Sequence, residues 1–276
     1  MSISAQDVNK LRQMTGAGMM DCKKALTEAN GDFDAATDIL RKKGQKVSAA
    51  RSDRETTEGV VFVKTTDDDK EGIIVAIGCE TDFVAKNEEF QKLGQVILDA
   101  AAKNKPASVD ALKALQIEGR SIQDLITDLV GKIGEKLEIT AYDIVKGDKV
   151  IPYIHAGSKL GVLVALKGVN GTDVSEVGKD VAMQIAAMKP IAVDKDGVDA
   201  SIVQREIEVG KEQARAEGKP EAMLEKIALG KLNKFYKENT LLNQQFVKDS
   251  SKTIAQVLNE VHNGLSVAAF KRISVN

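Results

Sequence analysis

Apolar positions along this chain follow two periods, and the places where the period changes mark its parts. Up to about residue 44 the spacing is helical and sparse. Ser4 and Asp7 suit a capping box ahead of Val8 and Leu11. Thr15-Gly16-Ala17-Gly18 breaks that helix, Asp21 to Ala29 predicts a second, and Asn30-Gly31 stops it. Asp32 caps a third, with Ala36, Ile39 and Leu40 inward and Gly44 closing it. The polar run from Arg41 to Arg54 reads as a linker. From Glu58 the period is that of strands. Gly59 to Lys64 and Gly72 to Gly78 flank an acidic turn, Asp67 to Glu71, and predict a hairpin. A helix follows from near Asn87, with Phe90, Leu93, Val96, Ile97 and Ala100 inward. Another spans Ser121 to Gly134 and buries Ile122, Leu125, Ile126, Leu129, Val130 and Ile133. Leu137 to Val145 predicts a strand, Val150 to His155 and Leu160 to Val169 a hairpin about Gly157-Ser158, and Leu265 to Val275 a closing strand.

Part of this pattern is duplicated. Gly72-Ile73-Ile74-Val75-Ala76-Ile77 returns as Gly161-Val162-Leu163-Val164-Ala165-Leu166, a shift of 89, and Ala100-Ala101 returns as Ala186-Ala187, a shift of 86. The first strand-to-helix connection is therefore three residues longer (89 − 86). The extra length carries Thr81-Asp82-Phe83-Val84, which sets an aromatic ring where a loop is ordinarily polar. Repeated scaffold carries stability, whereas connections vary and carry function.

One segment interrupts the second copy. Val203, Ile207, Gly210 and Ala214 keep helical spacing, Gly218-Lys219-Pro220 supplies a stop and a start, and Met223, Ile227 and Gly230 resume it. This predicts an antiparallel helical hairpin whose glycines permit close approach. Asp199 to Lys237 holds seven acids and eight bases, a solvated face of mixed sign.

Composition narrows the chemistry. In 276 residues, 39 basic side chains face 41 acidic ones, which argues against a broad phosphate-neutralising face. Aromatics are 4% and tryptophan is absent, so platforms for stacking bases are scarce. No apolar run nears the ~20 residues of a membrane span, and the N-terminus lacks the pattern of a signal peptide. Cys22 and Cys79 suit a reducing cytoplasm, with a disulfide neither required nor ruled out. His155 and His262 are too few to complete a zinc site with them. No nucleophile elbow, phosphate-binding loop or zinc-protease motif is present in the sequence.

Five features remain with two readings each. The basic run from Arg41 to Arg54 is either a soluble tether or a nucleic-acid arm. Phe83 either folds back on its own core, with Asp82 capping the next helix, or projects from the loop. Met19 and Met20 either plug a poor bundle core or offer adaptable contact surface. Lys23 and Lys24 either meet an acidic partner or stay solvated. His155, at a hairpin turn, either touches a partner or has no role.

Two long stretches bear on these alternatives. Leu11-Arg12-Gln13-Met14-Thr15-Gly16-Ala17-Gly18-Met19-Met20-Asp21-Cys22-Lys23-Lys24-Ala25-Leu26 resembles the N-terminal signature of bacterial elongation factor Ts proteins. Cys79-Glu80-Thr81-Asp82-Phe83-Val84-Ala85-Lys86 resembles their second signature. The resemblance covers essentially the whole chain and departs at Asn276, beyond which some members carry a further segment. It implies an α+β fold: an N-terminal three-helix bundle like a ubiquitin-associated domain, two repeated α+β subdomains with antiparallel sheets, and an inserted antiparallel helical hairpin. The expected divisions are 1–54 for the bundle and linker, 55–145 for the first subdomain, 146–198 with 238–276 for the second, and 199–237 for the hairpin.

The resemblance further implies a cytoplasmic guanine-nucleotide exchange factor for elongation factor Tu, neither an enzyme nor a holder of a cofactor or metal. Thr81, Asp82, Phe83 and Val84 would intrude beside the magnesium site of that GTPase. Arg12, Met19, Met20, Lys23 and His155 would contact it elsewhere. No direct contact with nucleic acid or membrane is expected. The alternative function is an interaction adaptor that uses the N-terminal bundle alone.

Overall fold

The structure, a computed structural model, describes residues 3–275. Three helices open it: α1 (Ala5–Thr15), α2 (Met19–Glu28) and α3 (Phe33–Ala50). Ser4 and Asp7 exchange the two bonds of a capping box at the start of α1. The bundle closes over Val8, Leu11, Cys22, Ala25, Leu26 and Ala36, a core of small volume.

The helix α3 does not stop at Gly44, and residues 41–50 are not a linker. Strand β1 (Glu58–Thr65) and strand β2 (Glu71–Cys79) follow, then the short helix α4 (Asp82–Ala85), α5 (Glu88–Asn104) and α6 (Val109–Ala114). Two-residue strands β3 (Gln116–Ile117) and β4 (Arg120–Ser121) lead into α7 (Ile122–Ile133) and β5 (Leu137–Lys146). It is α7 that keeps α3 helical. A Cβ built on Gly131 of α7 would lie 2.6 Å from the Cα of Gly44, so the two backbones cross almost in contact. A glycine inside a helix costs about 1 kcal/mol relative to alanine. Here that cost is offset by close packing of the helices, and Val47, one turn on, packs against the first core. The helix also delivers Arg51 to Glu80, with Nη1 2.8 Å from Oε1.

The second half repeats the plan with β6 (Lys149–Ile154), β7 (Leu160–Lys167) and α8 (Ser175–Met188). Helices α9 (Ala200–Ala216) and α10 (Glu221–Asn239) then project as a pair. Strands β8 (Gln245–Phe246) and β9 (Asp249–Thr253), helix α11 (Ile254–Val261) and strand β10 (Ser266–Ser274) end the chain. Two antiparallel three-stranded sheets result, ordered β1-β2-β5 and β10-β7-β6. The duplicated strands β2 and β7 are thus the two centre strands.

The sheets face each other, which explains the unbroken apolar runs. Ile73, Val75 and Ile77 point to α5 and α7. Ile74 and Ala76 point the other way and meet Leu163 and Ala165 between the sheets. Val162, Val164 and Leu166 pack on α8. The two halves approach through matched glycines. A methyl on Gly72 would lie 2.6 Å from Val150 Cγ1 and 3.1 Å from Leu163, and one on Gly161 2.5 Å from Val61 Cγ1 and 3.2 Å from Ile74. Each residue of the first set maps onto the second by the same shift of 89 (72 to 161, 61 to 150, 74 to 163), a local two-fold relation.

The helices are repeated with a different register from that expected. A Cβ on Gly94 would strike the Phe62 ring, and one on Gly178 would strike Ile151, the residue 89 beyond Phe62. Both helices end in a left-handed lysine, Lys105 and Lys189. These pairs give a shift of 84, not 86, so the first copy is longer by five (89 − 84) in register. The match of Ala100-Ala101 to Ala186-Ala187 is coincidental. Val96 of α5 is exposed and not inward, and Leu125 of α7 is only half-buried. In the projecting pair the seam is Gly210 and Ala214 against Leu224, Ala228 and Leu232. Met223 and Gly230 are outside it. Among the described residues no helix is long and apolar enough to cross a membrane.

Candidate functional site

The connection between β2 and α5 is a braced platform. Thr81, extended at φ −128°, caps α4, its hydroxyl accepting from the Val84 N–H at 3.4 Å. Val84 and Ala85 turn down into the first core, and Asn87 caps α5 by accepting from Glu89 N at 2.9 Å. Gln91 Nε2 donates to Ala85 O at 2.6 Å. With the space beneath filled, Phe83 is left outside and is 82% exposed. It does not fold back, and Asp82 does not cap α5. Asp82 instead meets Lys86 at 2.7 Å. Burying a phenylalanine is worth about 1.5–3 kcal/mol, and this loop forgoes it.

Acidic groups hold the platform from below. Thr81 donates from its N–H to Glu135 Oε2 at 3.1 Å and from its hydroxyl to Oε1 at 2.8 Å. Glu80 Oε1 accepts from the Lys136 N–H at 2.7 Å as well as from Arg51. The Lys136 N–H, and after it Arg51, hold the Glu80 carboxyl below the ordinary carboxylate range. Lys86 does the same for Asp82, with a weaker pull from Lys159. Burial, then Glu135 and Glu58, push the Cys79 thiol up to about 12, so it is neutral and unreactive at pH 7. Both cysteines are free and buried, in different cores.

The turn of the second sheet reaches the same end of the molecule. Ser158 O accepts from Val61 N at 2.7 Å, and Lys159 pairs with Glu58, the residue of β1 opposite Cys79. His155 is exposed on this turn, its Nδ1 2.9 Å from the Tyr153 hydroxyl. Thr81, Asp82, Phe83 and Val84 thus share an end with His155. Arg12, Met19, Met20 and Lys23 form a separate set on α1 and α2. Met19 and Met20 are 54% and 63% exposed, so they do not plug the bundle core. Among the described residues no hydrogen bond or ion pair joins that set to residues 81–84. The bundle reaches the loop's surroundings through α3 and Arg51, and also where Gly16 lies against Lys132, which pairs with Glu89. Arg51, Glu135 and Lys136 are absent from the candidates read off the sequence. Glu135 follows a helix stop, Gly134, and nothing local signals a partner 54 positions away.

Comparison with known proteins decides the family. A family model described as Elongation factor TS matches residues 80–276, beginning at the first residue of this platform. The chain belongs to the elongation factor Ts family. Elongation factor Ts of Cytophaga hutchinsonii is 62% identical over 276 residues, covering 100% of this chain and 99% of that protein. The Amoebophilus asiaticus protein of that name is 58% identical over 275 residues, with the same coverage. The Porphyromonas gingivalis one is 50% identical over 277 residues. These elongation factor Ts relatives align over the N-terminal bundle as well, which the family model does not reach. Membership makes this chain a translation elongation factor.

Proposed function

We propose that the chain is the guanine-nucleotide exchange factor of elongation factor Tu, acting through the platform at residues 80–87. The observation that carries this reading is Phe83, almost fully exposed on a backbone fixed at both ends. An exposed ring adds nothing to the stability of its own fold. On a rigid mount it is suited to enter a partner, because little ordering entropy remains to be lost on binding.

The mechanism is coupling. Guanosine diphosphate on a GTPase is held by backbone amides around its phosphates and by Mg2+. A wedge that parts the elements carrying those groups lowers affinity for ion and nucleotide together. No bond in the nucleotide is made or broken, so the accelerated step is dissociation. In this reading Asp82 and Thr81 supply polar contacts beside the ring. Met19 and Met20, with Arg12 and Lys23, make a second contact through the bundle, and His155 a third. Binding at several sites keeps the factor in place while one of them, the Phe83 loop, disturbs the nucleotide.

The test is release of fluorescent guanosine diphosphate from purified elongation factor Tu. Phe83→Ala should slow release at least about tenfold, ~1.4 kcal/mol of lost barrier lowering, with an unchanged circular dichroism spectrum. Release at the wild-type rate by folded Phe83→Ala protein would leave the adaptor reading as the better one.

A further inference from the structure

The exchange loop and the turn after α7 are locked by a reciprocal exchange of bonds. Glu80 reaches across to accept from the backbone N–H of Lys136. Glu135 reaches back to accept from the backbone N–H of Thr81 and from its hydroxyl. Two adjacent residues on each segment therefore hold the other segment's backbone through a carboxylate. Charge-assisted bonds of this kind are roughly twice as strong as neutral ones. A cation also meets the first carboxylate: Arg51 lies 2.8 Å from Glu80. That cation is the C-cap residue of the bundle's long helix. Glu135 itself follows α7, which α3 crosses at Gly44 and Gly131.

We propose that Glu135 is a positioning residue for the exchange loop, forming with Glu80 a reciprocal clamp that holds Phe83 at its working height. Arg51 ties this clamp to the N-terminal bundle. Glu135 acts through Thr81 and does not itself meet the partner. The inference rests on the exchange reading for its functional half, while the clamp stands on geometry alone. Its consequence is a split of roles: loss of Glu135 should lower the rate reached by a bound factor and spare the binding that the bundle provides.

Three measurements on the full chain test this. In Glu135→Ala protein the amides of residues 80–87 should exchange hydrogen at least about tenfold faster, while those of β2 and α5 keep their protection. In the release assay the maximal rate should fall about tenfold while the half-saturating concentration stays within about threefold. In a Phe83→Ala background, adding Glu135→Ala should change the rate by less than about twofold, because the two side chains act as one unit. Glu135→Gln keeps an acceptor for the Thr81 N–H and should recover the rate to within about threefold of wild type. Unchanged protection of residues 80–87 in both variants would overturn the clamp whatever Phe83 does. Fully multiplicative effects in the double variant would overturn the positioning role. A mobilised loop in Glu135→Ala protein, with normal release by Phe83→Ala protein, would overturn the exchange reading and leave the clamp standing.

Discussion

Residues 80–87 and 168–174 do the same topological task and are built in opposite ways. Each leaves the centre strand of a three-stranded sheet and enters the helix that covers it. The later connection turns tightly through Gly168, Asn170 and Gly171, all with positive φ, and sends Val169 and Val174 into the second core. Asp148 accepts from the backbone of Gly168 and Val169 at 2.6 and 3.4 Å. Its exposed positions are polar or glycine. The earlier connection inserts a one-turn helix, buries Val84 and Ala85, and leaves Phe83 in water. Two carboxylates and an arginine brace it, whereas Asp148, Asp173 on Ser175 N and Asn170 beside His262 hold the other. The scaffold beneath is matched pair for pair, so the difference does not come from the sheets. It comes from five residues of register that lift a ring away from the surface.

The comparison breaks most severely if the support of the first connection is removed. Gly131→Ala puts a methyl 2.6 Å from the Gly44 backbone, which has no flexible end to move aside. It should cost about 3 kcal/mol, the upper part of the range for overpacking, and shift Arg51 away from Glu80. The same methyl on Gly44 would sit 3.2 Å from Thr127 O and 3.6 Å from Gly131 Cα. Gly44→Ala should therefore cost less, with helix propensity returning up to about 1 kcal/mol. Urea unfolding of both proteins checks the order, and equal costs would mean that the crossing is not tight.

A matched pair sharpens the claim that the scaffolds are equivalent. Gly72→Ala and Gly161→Ala each press a methyl on the branched side chains of the facing sheet. Each should cost about 1–2 kcal/mol, and the two values should agree within about 0.5 kcal/mol. A large inequality in denaturant midpoints would show that the local two-fold relation does not extend to energetics.

The smallest effect tests the Glu80 part of the first brace by pH. Glu80 has a folded pKa below its unfolded value of 4.5. A depressed carboxylate stabilises fully above the unfolded value, and that contribution is lost as pH falls through the folded value. Stability should thus slope downward below about pH 4.5, and Glu80→Gln should flatten the slope in that window. An identical slope in the variant would mean that Glu80 contributes nothing to it.

Strands were the most legible part of this protein. Ile73 to Ile77 and Val162 to Leu166 must be strands because they are short, β-branched and bounded by glycine, and their duplication is visible to the eye. The projecting helices are legible as a pair, but the seam on α10 is Leu224, Ala228 and Leu232, one or two positions on from Met223, Ile227 and Gly230. Neither face of α10 is strongly apolar, so composition does not choose between Met223 and Leu224. The end of α3 was misread because Gly44 is a good stop in isolation and a good contact against Gly131. The candidate loop was legible by its odd aromatic. Its direction was not, since a ring folds in only if there is room, and Val84, Ala85 and Phe90 had already filled the core.

By itself, the sequence determined the α+β class, the repeated strands and the caps at Ser4, Asp7 and Asp32. Each of these depends on neighbours a few positions apart or on direct self-similarity. Tertiary structure alone decided that Phe83 and the methionines face outward, that α3 runs past its glycine, that Glu135 bonds Thr81, and that Glu80 bonds Arg51 and Lys136. Those outcomes depend on which volumes are already occupied and on carboxylates meeting backbone far along the chain. Packing and long-range hydrogen bonding leave no local pattern from which they could be read.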